Sequence, residues 1–238
     1  QKVAIFRGGF TREAAHTVAG AALPVLSSLV RKSFLHKCGS ERFEIHELLR
    51  QFAQEQLVMA GELHAVQRAH TTYFLALAEQ AQPHFFSTAR QIWIQRLESE
   101  HDNLRAALTW ALRYQETESL VRLAFALRLL WECRHYYDEM NEWLAQALAL
   151  AEQQWTDQVA NMSHSLDEPL RYRVQLLAQI LLARANALKH DRQQAEVLYE
   201  RSLALAQRIG LTDLTFELYD GMAVIAARQG NLTRANEL

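Results

Sequence analysis

Residues 181–200 read LLARANALKHDRQQAEVLYE: a helix of small and aliphatic residues, a tight turn and the start of a second helix. The same pattern recurs 40 residues later. The positions that match are Ala183 with Ala223, His190 with Gly230, and Ala195 with Ala235. Self-similarity at this period is typical of helical repeats, whose units bury their apolar faces only by stacking. The stretch therefore predicts a helix-turn-helix solenoid.

The composition predicts helix along almost the whole chain. Half of the residues are hydrophobic and 22% are charged, with only 8 Gly and 3 Pro. Ala, Leu, Gln, Glu and Arg dominate, and all five favour helix. From Glu62 onward apolar residues recur with the 3.6-residue period of a helix, as in Val66, Ala69, Tyr73, Leu77 and Ala81. The predicted fold class is mainly all-α.

The first 60 residues have a different pattern. Thr11 can cap a short helix and Pro24 can open a second one. Two short extended runs, 33–36 and 42–45, flank a Gly-containing turn of hairpin length, and Glu47 then starts a third helix. Helix, helix, hairpin, helix is the order of a winged helix whose first helix is cut short. This is the part of the chain where we expect strands.

Four segments follow from these patterns. We expect a winged-helix module at 1–60, and a helical linker with the first helix pair of the solenoid at 61–152. A polar linker or insertion is expected at 153–170, and repeats at 171–238, the last cut short. Because the chain has no initiator Met and stops within a repeat, we expect it to be a piece of a longer polypeptide.

The composition also limits the function. A net charge of −2 does not favour general attraction to nucleic acid or to an anionic membrane. No apolar run approaches the ~20 residues of a membrane span, and Cys38 and Cys133 form no CxxC pair. The sequence contains no HExxH, GxSxG or GxxxxGK[ST] motif. We therefore predict a cytoplasmic binding protein with no catalytic or metal site.

Three segments carry a resemblance to a known family: Phe6-Arg7-Gly8-Gly9-Phe10-Thr11, residues 46–53 (HELLRQFA) and residues 100–108 (EHDNLRAAL). They resemble bacterial signal-transduction ATPases with numerous domains, the STAND class. In the similar members an NB-ARC-like nucleotide-binding module precedes a winged helix and tetratricopeptide-like (TPR-like) repeats. The resemblance implies a switch in signal transduction and transcription regulation. A module upstream of this chain would hold ADP or ATP, and the chain itself would need no cofactor.

The same resemblance assigns a role to His46. In this family a His after the wing belongs to an MHD-type motif and contacts the bound nucleotide. Here the triplet is Ile45-His46-Glu47, so the His matches, whereas Ile replaces Met and Glu replaces Asp. From the residues alone, His46 could equally cap or pack at the base of the hairpin.

The repeats are expected to hold the sensor, for an inducer ligand or a protein partner. Stacked helix pairs curve into a concave surface lined by the first helix of each pair. The polar and aromatic candidates on those helices are Gln179, Arg184, Asn186, Tyr219 and Arg228, with Tyr136 and Tyr137 at an earlier turn. The alternative is that they are ordinary solvent-facing side chains.

Three hypotheses remain open. The first is the regulatory part of a STAND-type ATPase, whose partner is its own nucleotide-binding module. The second is a free-standing TPR peptide-binding adaptor. The third is a winged-helix DNA-binding protein, which is less favoured because helix 25–32 is mostly apolar and offers few groups for reading bases. A phosphate loop upstream of Gln1 would distinguish the first hypothesis from the second.

Overall fold

The computed structural model describes most of the chain, namely residues 1–39, 42–160, 167–188 and 191–237. Within these ranges the protein forms twelve α-helices and one three-stranded sheet. The predicted mainly α class is therefore confirmed. The chain divides into two compact units, Gln1–Tyr114 and Gln115–Leu238.

The first unit combines a small sheet with six helices. Its elements are a 3-10 helix Lys2–Ile5, β1 Phe10–Thr11, α1 Arg12–Ala19, α2 Leu23–Arg31, β2 Leu35–Cys38, β3 Arg42–Ile45, α3 Glu47–Met59, α4 Leu63–Ala81, a 3-10 helix Gln82–Phe86, α5 Arg90–Ser99 and α6 His101–Arg113. Strand β3 pairs antiparallel with both neighbours, in the order β1-β3-β2. The order from α1 to α3 is the one predicted, although β2 begins two residues after the expected run. The sequence analysis missed β1, because two residues are too few to show an alternating pattern.

Local signals in the sequence explain where these elements begin and end. Thr11 Oγ1 accepts a hydrogen bond from the Ala14 N–H at 3.1 Å and caps α1. Gly20 adopts the left-handed conformation that ends the helix. Pro24 lies in the first turn of α2, where its missing N–H is harmless.

The expected boundary near residue 60 is not where the first unit ends. Helices α4, α5 and α6 belong to the same unit as residues 1–59, and the boundary follows Tyr114. The reason is a shared core: the Phe6 ring stacks on Phe10 at 4.7 Å and meets the edge of Phe74, on α4, at 6.3 Å. All three rings are fully buried. Burying Phe6 and Phe10 therefore requires α4 beside the start of the chain.

The second unit consists of helices that pack on their neighbours in chain order. They are α7 Thr117–Arg134, α8 Tyr137–Ala160, α9 Glu168–Ala187, α10 Arg192–Ile209, α11 Thr212–Arg228 and α12 Leu232–Glu237. Asp167 accepts from the Leu170 N–H at 3.0 Å, and Asp191 from the Gln194 N–H at 2.9 Å, so both cap helices. The starts of α10 and α12 repeat the 40-residue spacing of the sequence, whereas His190 of that alignment lies outside the described residues.

Small residues let the helices of the second unit approach closely. Ser202 on α10 is fully buried and donates to the Ala178 carbonyl of α9 at 2.7 Å. Gly221 on α11 faces the Tyr199 ring of α10, and a Cβ at Gly221 would lie 2.7 Å from that ring. The Tyr199 ring therefore packs against α11 at a position where only glycine leaves enough space.

The polar segment expected at 153–170 is partly helical. Helix α8 continues to Ala160 and α9 begins at Glu168. Trp155 and Val159 are buried, and their four-residue spacing gives this end of α8 an apolar side despite its many polar residues. Residues 153–160, part of the expected polar linker or insertion, thus belong to α8. The remainder, 161–166, lies outside the described residues.

Candidate functional site

His46 and Glu47 lie where β3 passes into α3. His46 is the N-cap of the helix, and its Nδ1 accepts from the Leu48 N–H at 3.4 Å. Because Nδ1 is the acceptor, the neutral ring carries its proton on Nε2. The Glu47 carboxylate accepts from Arg50 Nε at 2.7 Å, and hydrogen bonds from Arg50 are the main cause that lowers the pKa of Glu47 to about 2. The His46 side chain is exposed at the start of α3. The Glu47 carboxylate, by contrast, is fixed by its hydrogen bonds with Arg50.

The surface beside His46 is apolar. Leu48 and Phe52 on α3 are 70% and 60% exposed. Farther along the same helix, Val58 and Met59 are also exposed. Within the described residues, then, α3 presents large apolar side chains to the surface, while Leu57 is its fully buried contact with the core.

A buried polar network centres on Asn103 of α6. Its Oδ1 accepts from the Arg7 N–H at 2.7 Å, and its Nδ2 donates to the Gly9 carbonyl at 2.9 Å and to Glu100 Oε2 at 2.8 Å. Asn103 has no exposed surface. One amide side chain thus fixes the backbone of the loop that leads into β1.

An ion pair completes this network. Arg42 on β3 pairs with Glu100, which is only 4% exposed, and Arg42 Nη2 also donates to the Gly8 carbonyl at 3.0 Å. Gly8 and Gly9 both have positive φ. A Cβ at Gly8 would lie 2.7 Å from Asp102 Oδ2, so the loop can approach α6 this closely only with glycine there.

His70 contributes a buried ring to the same network. Its Nε2 lies 3.3 Å from Asn103 Oδ1, an acceptor, so Nε2 carries the proton of the neutral ring. Burial is the main cause that lowers the pKa of His70 to about 4. The network therefore contains a histidine that is neutral at physiological pH.

The three segments that carry the family resemblance come together in the first unit. Arg7 and Gly8, from the first segment, line a cavity with Asp102 and Arg105 from the third. Gln54, which directly follows the second segment, lines the same cavity and donates to the Ala4 carbonyl at 3.0 Å. Segments that are far apart in sequence thus contribute to one local structure.

Two of the predicted sensor residues in the second unit surround Tyr199. The Tyr199 hydroxyl donates to Asn186 Oδ1. Burial, then the charge of Asp220, raises the pKa of Tyr199 to about 12, and the charge of Arg228 acts in the opposite direction. Arg184, a third candidate, is partly buried and donates to Asn141. The interactions of these side chains therefore link four successive helices, α8 to α11.

The other sensor candidates lie elsewhere. Gln179 lines a separate cavity of about 350 Å³ with Arg128 and Glu217. The Tyr219 hydroxyl accepts from Gln207 Nε2 at 3.3 Å. Tyr136 and Tyr137 are partly buried near the start of α8, where the Tyr137 hydroxyl lies 2.8 Å from His135 Nδ1. The seven candidates do not form one site.

Sequence analysis missed the residues that organise the first unit. Asn103, Glu100 and Arg42 were not singled out, although Asn103 and Glu100 stood in a segment quoted for its resemblance. A usable signal was present: Glu100 and Asn103 are three residues apart, on the same side of a helix whose next residues are apolar. The partner Arg42 is 58 residues from Glu100, a distance that no helical spacing reveals.

Comparison with known proteins shows similarity to transcriptional regulators. The chain is 31% identical over 153 residues to curated proteins named as HTH-type transcriptional regulators, one from Mycobacterium bovis and two from strains of Mycobacterium tuberculosis. The match covers 60% of this chain but only 17% of each relative. No protein-family model and no solved structure matches. This similarity supports a regulatory role.

The geometry and composition of the described residues also bear on membrane-spanning segments and metal ligands. None of their helices taken singly has both the length and the apolar character to cross a membrane, and the pair α1 with α2, bent by 109°, meets that test by length and composition only. Among the same residues, no group of three or more His, Cys, Asp or Glu is placed to hold a metal ion.

Proposed function

We propose that this chain is the regulatory and sensor part of a STAND-type ATPase switch. In this proposal the winged helix contacts a nucleotide-binding module, and the second unit, with its TPR-like helix pairs, binds an inducer ligand or a protein. The observation that carries it is the exposed His46 beside the apolar Leu48 and Phe52 at the start of α3. Exposed apolar patches mark interaction sites, and here the patch adjoins a histidine available for a polar contact.

The nucleotide would be held mainly by residues outside this chain. The sequence has no GxxxxGK[ST] phosphate loop, so His46 is the residue that we assign to nucleotide sensing. Its Nδ1 is occupied by the Leu48 N–H, which leaves the Nε2–H to donate to a phosphate oxygen. Because Arg50 holds the neighbouring Glu47, we give that carboxylate the role of fixing the start of α3.

The test of this proposal is ADP retention by the full-length protein. His46→Ala should release ADP faster and shift the protein toward its active form, while the same change at His36, exposed on β2, should have no effect. The nucleotide that copurifies is measured by chromatography after denaturation. Unchanged ADP retention in His46→Ala would mean that the role assigned to His46 is wrong. A full-length sequence without a phosphate loop would favour the free-standing adaptor.

At His46, the 238-residue chain alone should bind ADP and ATP negligibly. One histidine and one helix start supply too few contacts for a nucleotide. Isothermal titration calorimetry measures this directly, and micromolar ADP binding that is lost in His46→Ala would contradict the division of roles between this chain and an upstream module.

The relatives are named as transcriptional regulators, which supports transcription control as the output. Direct DNA binding by this winged helix is a weaker hypothesis, because α2 exposes Leu23 and Val25 where base recognition requires polar side chains. In mobility-shift experiments at physiological salt we expect only weak, salt-sensitive binding. A sequence-specific nanomolar complex would instead make DNA the partner.

A further inference from the structure

The cavity of the first unit has the size of a small-molecule site. Its volume is about 540 Å³, within the range of ligand pockets. The loop at Arg7–Gly8, α3, α4 and α6 line it, and it is open to solvent. Polar and aromatic side chains line much of its surface, among them Arg7, His70, Asp102, Arg105, Trp110 and Arg113. His46 does not line it.

The charge of the lining is positive. Arg7, Arg105 and Arg113 bring three guanidinium groups, against the single carboxylate of Asp102. His70 adds no charge at neutral pH, because burial holds its pKa at about 4. A cavity of this kind attracts anions, and low-dielectric walls strengthen that attraction.

Arg7 is a largely exposed cation at this cavity. Among the described residues its guanidinium has no hydrogen bond and no ion pair. Partial burial, then the positive charge of Arg50, lowers the pKa of Arg7, while the negative charge of Glu47 acts in the opposite direction. Arg50 itself is buried and its Nη1 has no partner within the described part of the chain. Arg50 lies one helical turn before Gln54, which lines the cavity.

We propose that this cavity binds a small organic anion carrying at least two negative charges on phosphate or carboxylate groups. Arg7 and Arg113 would contact the charged groups, because guanidinium matches both oxyanions. Trp110 lines the cavity with a ring that is 6% exposed, and it would pack against the apolar part of the ligand.

A ligand in this cavity would act as an effector. It would contact α3 of the winged helix and, at the same time, α4 and α6, and would therefore favour the arrangement in which these elements are packed together. This site differs from the nucleotide contact at His46 and from the sensor residues of the second unit, and the proposal stands whether or not the chain belongs to an ATPase switch.

The experiment uses the 238-residue chain with pyrophosphate and citrate as probes, at about 0.15 M salt. We expect at least one probe to bind with submillimolar affinity in calorimetry and to raise the melting temperature. Arg7→Gln should weaken binding about tenfold or more, which corresponds to the loss of one charge-assisted contact. Arg31→Gln, at an exposed position at the end of α2, is the matched control and should bind normally. Preference between the two probes distinguishes a phosphate ligand from a carboxylate ligand.

Tryptophan fluorescence gives a second readout. Binding should change the emission of the chain, and Trp110→Phe should remove most of that change. No binding of either probe at millimolar concentration would overturn the proposal, and so would an equal loss of affinity in Arg31→Gln, which would indicate non-specific attraction. If circular dichroism shows that Arg7→Gln does not fold, Arg113→Gln at an exposed position decides, and unchanged affinity in that variant would equally reject the site.

Discussion

Each of the two units is stabilised internally by a different kind of interaction. In the first unit, short elements are fixed by directional polar bonds around Asn103, and the ion pair of Arg42 with Glu100 closes the network. In the second unit, long helices stack in chain order through aliphatic side chains and small residues such as Ser202 and Gly221. Strands of two to four residues are too short to be positioned by packing alone and require specific hydrogen bonds. Helices of about twenty residues are instead positioned by burial of the apolar side chains that recur along one side.

The largest expected effect comes from Glu100→Ala. This change leaves Arg42 without its carboxylate and Asn103 without one acceptor, in a site that is almost fully buried. Breaking one partner of such a pair should lower the free energy of unfolding of the first unit by about 4 kcal/mol. Urea denaturation followed by circular dichroism measures it, with the second unit expected to unfold as before.

The matched control is Glu118→Ala in the second unit. Glu118 pairs with Arg122 on the surface of α7, and its side chain is 54% exposed. Removing an exposed pair should change stability by no more than about 0.5 kcal/mol. If both glutamate variants gave similar small losses, the polar network would not be what holds the first unit together.

The next effect is a pH dependence that belongs to the first unit. His70 has a pKa of about 4 in the folded protein, against an ordinary value of 6.5. Between pH 6.5 and pH 4 the unfolded chain binds a proton at this residue and the folded chain does not, so stability falls as the pH falls. The loss should reach about 3 kcal/mol near pH 4 and be absent above pH 7.

His70→Gln isolates this contribution, because glutamine can still donate toward Asn103 but does not titrate. Between pH 7 and pH 4 the wild type should therefore lose about 3 kcal/mol of unfolding free energy relative to His70→Gln. The same exchange at the exposed His36 should give no such shift. A pH-independent difference for His70→Gln would show that water reaches the ring in the folded state.

Gly221→Ala probes the second unit. Alanine is the better helix former, so a local effect alone would stabilise α11. The structure predicts the opposite sign, because the added Cβ would lie 2.7 Å from the Tyr199 ring. We expect a loss of about 2 kcal/mol from overpacking, measured by thermal denaturation. Combining it with Tyr199→Leu should recover part of the loss, and additive losses in the double variant would contradict the contact.

The features that could be predicted from the sequence are those with local signals, whereas contacts between distant residues could not be predicted. The 40-residue repeat, the hairpin, the cap at Thr11 and the helix start at Glu47 were accessible, because their signals lie within one or two turns of chain. The helical class was accessible for the same reason. By contrast, the boundary after Tyr114 depends on Phe6 packing with Phe74, and on Arg7 bonding to Asn103, pairs separated by 68 and 96 positions in the chain. No local pattern contains those contacts.

The candidate sites show the same limit. The sequence placed His46 at a strand-to-helix junction, and the structure adds which ring nitrogen is occupied. For the repeats, helical spacing suggested one concave row of side chains, but Asn186 and Arg228 adjoin Tyr199 whereas Gln179 lines another cavity. The exposure of Leu48 and Phe52 is visible only in the structure, since an apolar spacing cannot distinguish a core-facing side from a surface for a partner.

The smallest expected effect is the loss of a helix cap, which should cost about the same unfolding free energy in both units. Thr11 and Asp191 each accept a hydrogen bond from the backbone N–H three residues later, at 3.1 and 2.9 Å. Each cap is local, so Thr11→Ala and Asp191→Ala should each lower the unfolding free energy of their own unit by about 1 kcal/mol. Urea denaturation of the two variants measures this. The exposed position of Asp191 adds a favourable charge at the start of α10, which high salt should reduce. If Thr11→Ala were far more damaging than Asp191→Ala, the start of α1 would be coupled to the polar network through β1, and the network would extend further than the bonds around Asn103.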